Sequence, residues 1–226
     1  MDKKTQVRKM FDSISYRYDL LNHLLSAGID IYWRKQALSI TKPEKNSILL
    51  DIACGTGDFA NTSKKIGVEK IIGADLSFNM LKIFSEKLDW SKGNLTQMAA
   101  EQLPFKNDLF TNITVAFGVR NFYNIPNAFN EFNRVLKSKG KVTILEFKLP
   151  SNILVRKVYQ LYFKYMLPLI GKIISKDKSA YQYLPDSVEE FDKKVNLKEI
   201  LSRCGFSKIE IKQLTFGIVQ VVVAQK

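Results

Sequence analysis

From Ser47 onward, short apolar runs alternate with stretches whose apolar residues recur at helical spacing. SILLDIA, EKIIGAD, NLTQMAA, LFTNITVAF and KVTILEF read as five strands, and residues 58–66 and 77–88 as helices between them. IPNAFNEFNRVLKSKG reads as a further helix. Ile125, Ala128, Phe129, Phe132, Val135 and Leu136 form its apolar stripe, and Gly140 closes it. Before this region, residues 5–40 are helical in pattern, with a break expected at Gly28. After Pro150 the alternation stops. A helical insertion over 151–180 precedes VEEFDKKVNLKEILSRCGF, a helix closed by Gly205, and the strands SKIEIKQL and FGIVQVVVAQ.

Strands alternating with helices of this length build parallel βαβ units wound on both faces of one sheet. The expected architecture is therefore α/β and Rossmann-like. It has a seven-stranded, mostly parallel sheet with helices on both faces, ending in an antiparallel hairpin. The expected layout is one domain, 1–226, with N-terminal helices at 1–42, a core at 47–148, the insertion at 151–180, and a C-terminal helix and hairpin at 188–226.

Composition narrows the chemistry. With 226 residues, 46% hydrophobic and 12% aromatic, the chain buries a sizeable core, which excludes a disordered segment or a disulfide-stapled miniprotein. Thirty-five Lys+Arg against 22 Asp+Glu leave a net charge of +13, so nucleic acid, anionic lipid and an anionic cofactor are all candidate partners. Cys54 and Cys204 stand far apart, which points to a reducing compartment, the cytoplasm by default. A single histidine, His23, excludes any site needing two His ligands, and no metal is expected. The N-terminal stretch is unlike a signal peptide. The most apolar window, 153–174, is interrupted by Arg156, Lys157, Lys164 and Lys172, a pattern that lies on a membrane and does not span it.

LLDIACGTGDFA carries the most chemistry. Gly55, Gly57 and Ala60 satisfy the glycine fingerprint between a strand and a helix, where backbone approaches a ligand closely. Asp75 ends the second strand 20 residues after Gly55, placed to accept hydrogen bonds from both hydroxyls of an adenosine ribose. A structural alternative is a bare turn, with Asp75 capping the next helix. Asp51, four residues before Gly55, repels a pyrophosphate and attracts an ammonium, which favours S-adenosylmethionine over a dinucleotide. Thr56 offers a hydroxyl and an N–H to the same amino-acid moiety. The third strand end, Met98 to Glu101, falls at the adenine edge, where Ala99 and Ala100 contribute backbone and apolar contact.

Several segments together resemble the ubiquinone/menaquinone biosynthesis C-methyltransferase family, within the class I S-adenosylmethionine-dependent methyltransferases. They are MFDSISYRYDLLNHLLSAGIDIYWRKQAL, LLDIACGTGDFA, ADLSFNML, AAEQLPF, FGVRNFYN, RVLKSKGKVTILEF, SAYQYLPDSVEEF and LTFGIV, in order along nearly the whole chain. The resemblance implies a class I methyltransferase fold with the N-terminal helices as a lid. It implies cofactor contacts at Thr56, Asp75, Ala99 and Ala100, with Ala116 as a further candidate. The family often carries Asn at Ala99, Ser at Ala116 and a His near the C-terminus where this chain reads VQVVVAQK.

The resemblance further implies methyl transfer to a ring carbon of a polyprenylated quinol. Demethylmenaquinol is the leading acceptor, and the methoxy-polyprenyl-benzoquinol of ubiquinone synthesis is the alternative. GIDIYWRK, with Asp30 where other members have His, leans toward the naphthoquinol. A quinol hydroxyl, like tyrosine, has a pKa of about 10, so the site must favour the phenolate. Arg120, just beyond the fourth strand, is the candidate cation, and Asn121 the candidate that orients the same oxygen. The alternative for Arg120 is a surface ion pair. His23 and Tyr16 are further catalytic candidates, and Tyr18, Asp19 and Asn22 join them on the lid.

A bilayer-resident acceptor suits the basic, aromatic stretch 151–178. There Arg156, Lys157, Lys164, Lys172, Lys176 and Lys178 outnumber Asp177, interleaved with residues such as Tyr159 and Phe163. Peripheral contact with an anionic membrane is thus expected, a helix packed on the core being the alternative, and a homodimer is a further candidate assembly. A nucleic-acid methyltransferase is the rival reading of +13, but FGVRN is not an Asn/Asp-Pro-Pro-aromatic signature. A nonenzymatic lipid-binding protein is the other rival.

Overall fold

A computed structural model describes residues 2–162, 165 and 179–226. Helices α1 (Lys3–Ile14), α2 (Tyr18–Leu25) and α3 (Ile29–Thr41) precede β1 (Ile48–Ile52), α4 (Asp58–Lys65), β2 (Lys70–Asp75), α5 (Phe78–Lys87), β3 (Leu95–Gln97) and β4 (Phe110–Ala116). Then follow α6 (Ile125–Val135), β5 (Leu136–Phe147), α7 (Ile153–Leu161), α8 (Ser179–Lys194), α9 (Leu197–Arg203), β6 (Ser207–Leu214) and β7 (Val219–Gln225). The seven strands form one sheet in the order β3-β2-β1-β4-β5-β7-β6. β1 to β5 pair in parallel, and β7 runs antiparallel between β5 and β6.

Strand alternation sends side chains to two cores. Leu50, Ile52, Ile113 and Ile144 pack under Phe129 and Phe132 of α6 and Leu201 of α9. On the opposite face, Leu145, Val221 and Val223 meet Trp33 and Leu38 of α3 and Phe59 of α4, while Leu49 and Ile71 meet Phe84 of α5. The expected seven-stranded, doubly covered sheet is the observed one. Because β1 lies centrally, with β2 and β4 on either side, their C-terminal ends open together at one edge, where ligands bind in such sheets.

Three element boundaries differ from the sequence expectation. The helix expected to reach Gly140 ends at Val135, and Leu136 is buried in β5, opposite Phe110. Gly140 serves a register shift between β4 and β5: a Cβ there would lie 2.8 Å from the Lys137 carbonyl and 3.1 Å from that of Thr111. The expected C-terminal helix is two helices, because Asn196 interrupts it and its side chain caps α9 at Glu199 N. The N-terminal helices break at Gly28 as expected, and also at a 3-10 turn, Ser15–Arg17. Of the basic insertion, α7 is described, while Phe163, Lys164, Lys172, Lys176, Asp177 and Lys178 lie outside the described residues.

Candidate active site

The β1–α4 loop sets the geometry of a small cleft. Gly57 has φ +90°, and a Cβ on it would sit 2.4 Å from the Phe84 ring, so no other residue fits there without displacing that ring. Gly55 N–H donates to Asp75 Oδ2 at 2.9 Å, and Ser77 N–H to Oδ1 at 2.8 Å. Burial pushes the Asp75 carboxyl above the usual carboxylate value, against these backbone hydrogen bonds. The cleft is walled by Gly55 and Asp75, by Ala99, Ala100 and Glu101 after β3, and by Ala116 at the end of β4. Thus Gly55, Asp75, Ala99, Ala100 and Ala116 are brought together, as the sequence pattern expects.

The opposite wall comes from the N-terminal helices, the segment expected to act as a lid. Lys4, Val7, Arg8 and Phe11 of α1, with Tyr18, close over the cleft and leave about 80 Å³. Asp12 holds α1 down by accepting from Ser77 Oγ at 2.5 Å, and Lys3 Nζ donates to the Phe122 carbonyl at 2.8 Å. The residues fit an adenosine-bearing cofactor: a carboxylate at the second strand end, a glycine loop, and small apolar side chains at the third and fourth. The volume with α1 in this position, about 80 Å³, is below the roughly 300–1,000 Å³ that ligand pockets span.

Three expected cofactor contacts are placed otherwise. Gly57 is buried against the Phe84 ring and does not line the cleft. Asp51 is fully buried beneath the loop and does not line the cleft. Its carboxylate accepts from Thr114 Oγ1 at 2.7 Å and Ala60 N–H at 3.1 Å, so it is not presented to an ammonium. Burial raises its pKa to about 7, against those hydrogen bonds. Thr56 is also buried, and its hydroxyl donates to Asp19 of α2, so it anchors the lid.

A second cavity of about 630 Å³ lies under the N-terminal helices and α7, lined mostly by apolar and aromatic side chains. Phe11, Tyr18 and Phe117 border both cavities and form their common wall. Arg120 lies on the large cavity, its side chain only 7% exposed. Its Nη1 donates to Glu146 Oε1 at 2.7 Å and to the Phe117 carbonyl at 2.5 Å. Arg120 is therefore ion-paired, but not at the surface as the sequence alternative has it: its partner is a fully buried acid behind the cavity wall. Glu146 was missed. Its signal is an acid ending the apolar run KVTILEF. Asn121 borders the small cleft, and its Oδ1 accepts from Tyr183 OH at 2.8 Å, a second missed residue.

The other two catalytic candidates line neither cavity. Tyr16 is 76% exposed, turned outward by the 3-10 turn that carries it. His23 turns its Nδ1 to Asp30 at 2.9 Å and its Nε2 to Asp58 at 3.7 Å. These three residues are close enough to hold a cation, but Arg34 already reaches Asp30 at 2.5 Å and Lys87 reaches Asp58 at 2.7 Å. Leu154 and Val158 of α7, which line the large cavity, are 70% and 67% exposed. Among the described residues, no helix is long and apolar enough to cross a membrane.

Comparison with known proteins bears on all of this. The profile of the ubiE/COQ5 methyltransferase family matches residues 1–226. Demethylmenaquinone methyltransferase of Bacteroides fragilis is 38% identical, covering 99% of this chain and 94% of its own. The Chlorobaculum parvum protein of the same name is 40% identical over 99% and 93%. The ubiquinone/menaquinone biosynthesis C-methyltransferase of Geotalea daltonii is 39% identical over 100% and 98%. Among solved structures, a SAM-dependent methyltransferase of Thermotoga maritima superposes with TM-score 0.66 at 18% identity, over 96% of this chain and 99% of that one. An N-methyltransferase of Haemonchus contortus bound to S-adenosylhomocysteine gives 0.59 at 19%, over 88% and 57%. Those two share the fold.

Proposed function

The chain belongs to the ubiE/COQ5 methyltransferase family, and from that premise we propose that its acceptor is demethylmenaquinol, methylated at a ring carbon, and that Arg120 stabilises the phenolate. It is an S-adenosylmethionine-dependent C-methyltransferase of quinone biosynthesis. The observation that carries the acceptor assignment is a large aromatic cavity with a buried guanidinium, separated from the cofactor cleft only by Phe11, Tyr18 and Phe117. The names of the Bacteroides and Chlorobaculum relatives support the naphthoquinol.

Gly55, Asp75, Ala99, Ala100 and Ala116 would hold the cofactor. When bound, S-adenosylmethionine supplies a methyl group on a sulfonium and departs as the neutral thioether. This chain's residues do the rest. Arg120 places positive charge beside the quinol oxygen in a site shielded from water, which lowers the energy of the phenolate and makes the adjacent ring carbon nucleophilic. Glu146 is the positioning residue that fixes the guanidinium. Asn121 borders the cofactor cleft and not the acceptor cavity, so its role is to hold through Oδ1 the hydroxyl of Tyr183, which does line the acceptor cavity. The acceptor's hydroxyl proton is lost as the phenolate forms; after transfer the methylated carbon gives up its proton to restore the aromatic ring and the oxygen takes one proton back, so one proton is released overall. Val7 and Phe11, with the other lid residues, exclude bulk solvent from the reacting groups. The exposed apolar Leu154 and Val158, beside Arg156 and Lys157 on α7, support uptake of the acceptor from an anionic membrane surface.

The test is incubation of purified protein with labelled cofactor and reduced short-chain naphthoquinol or benzoquinol, under anaerobic conditions. Label enters the naphthoquinol faster, and Arg120→Ala lowers that rate by about 10²–10³-fold. No transfer to either quinol by protein that binds the cofactor overturns the acceptor assignment. Wild-type rates in Arg120→Ala overturn the role of the arginine.

A further inference from the structure

We infer that Arg34 is a second acceptor-binding residue, reading the quinol oxygen remote from the methylated carbon; this rests on the quinol reading above. Arg34 and Arg120 both line the 630 Å³ cavity, and each side chain is 7% exposed. Each guanidinium is held from behind by a buried acid: Asp30 at 2.5 Å for Arg34, Glu146 at 2.7 Å for Arg120. Among the described residues, the Nε–H of each is buried with no hydrogen-bond partner. A buried donor left unsatisfied is destabilising, and both belong to guanidiniums that line one cavity, so a ligand bringing two acceptor oxygens relieves both once the side chains turn toward it.

The aromatic lining supports the same ligand shape. Arg34 stands 5.9 Å from the Phe117 ring centroid and Arg120 5.5 Å from that of Phe147, and these rings are 4.5 Å apart. The two cations are thus set on one continuous aromatic surface. A flat ring carrying oxygens at its two para positions matches that surface; a mono-oxygenated ring leaves one guanidinium donor unfilled. Arg34 is then a positioning and specificity residue, and Arg120 the residue beside the oxygen that activates the reacting carbon.

Two acceptors separate these roles: a short-chain 1,4-naphthalenediol, and the matching naphthol that lacks the oxygen remote from the reacting carbon. Arg34→Lys keeps a charge opposite Asp30 and removes the planar donor set. It lowers kcat/KM for the diol by about 10- to 100-fold, chiefly through KM, and costs at least ten times less toward the naphthol. Arg120→Lys lowers both. Independently of turnover, quenching of Trp33, which borders the cavity, by a short-chain 1,4-naphthoquinone weakens about tenfold in Arg34→Lys. Equal losses on both acceptors with unchanged quinone binding overturn the inference and leave Arg34 as an anchor of α3 on α4, through its Nη2 contact with Asp58 Oδ2 at 3.6 Å. Wild-type protein that binds cofactor but methylates neither compound overturns the quinol reading, and this inference with it.

Discussion

Replacing Asp51 with Asn removes a titrating group from the centre of the sheet and changes little else in shape. The carboxyl is fully buried and its pKa is raised to about 7, first by desolvation, with the Asp75 charge adding to it. Hydrogen bonds from Thr114 and Ala60, and the Arg34 charge, act in the opposite direction. An aspartate in an unfolded chain titrates near 3.9. A raised folded-state value means that the native protein prefers the protonated form. The stability this group contributes is therefore complete below about pH 4 and is lost as pH rises through about 7. The span between those limits corresponds to about 4 kcal/mol, at about 1.4 kcal/mol per pH unit inside the window. Asparagine can accept from Ala60 N–H through its carbonyl and donate to Thr114 Oγ1, and it does not titrate. Urea unfolding of both proteins from pH 5 to pH 8 should show the wild type losing about 3 kcal/mol relative to Asp51→Asn. A difference that stays flat within about 0.5 kcal/mol refutes the burial argument. The same variant should bind S-adenosylmethionine within about threefold of wild type, because Asp51 does not reach the cleft. A tenfold or larger loss restores the ammonium contact that the sequence suggested.

Gly57→Ala forces a Cβ to 2.4 Å from the Phe84 ring at φ +90°, so it should lower stability by about 3 kcal/mol or more, read as a fall in melting temperature. Asp12→Ala removes the contacts holding α1 to Ser77 and Asn79. Cofactor association measured by stopped flow should then speed up by about fivefold, the effect of roughly one hydrogen bond. The protein should sediment with anionic vesicles but not neutral ones, lose that binding at high salt, and bind about tenfold more weakly after Leu154→Glu; equal partition to both vesicle types removes the electrostatic part of the membrane proposal.

The sheet was legible because its signal is local: each strand is an apolar run, and each crossover helix has its own stripe. The glycine loop and Asp75 were legible for the same reason, since one strand–turn–helix and the next strand end contain them. What escaped depends on contacts between distant segments. Glu146 is distinguished from any acid after an apolar run only by Arg120, 26 residues earlier in the chain, and Tyr183 only by Asn121, 62 residues away. Gly140 looks like a helix stop until β4 is laid beside β5. Tyr16 and Tyr18 are interchangeable in sequence, but the 3-10 turn at Ser15–Arg17 exposes one and buries the other in both cavities. Arg34 escaped because a lid helix rich in charge reads as a solvated face, and only the packed structure shows its guanidinium under cover.

The common wall makes the two substrates unequal in how they enter. The acceptor cavity is already about 630 Å³ with α1 in place, whereas the cofactor cleft is about 80 Å³. On the proposed reading, an acceptor therefore has room with α1 in place, but the cofactor reaches Asp75 only once the contacts of Asp12 with Ser77, Lys3 with Phe122 and Asp19 with Thr56 give way. Two of the three wall residues, Phe11 and Tyr18, ride on that same lid segment. Lifting it to admit cofactor dismantles the partition and one side of the acceptor cavity together, and closing it rebuilds both around whatever has bound. Such coupling confines the methyl donor and the ring carbon to a space closed off from water only when both are present, which protects the sulfonium from hydrolysis by geometry alone.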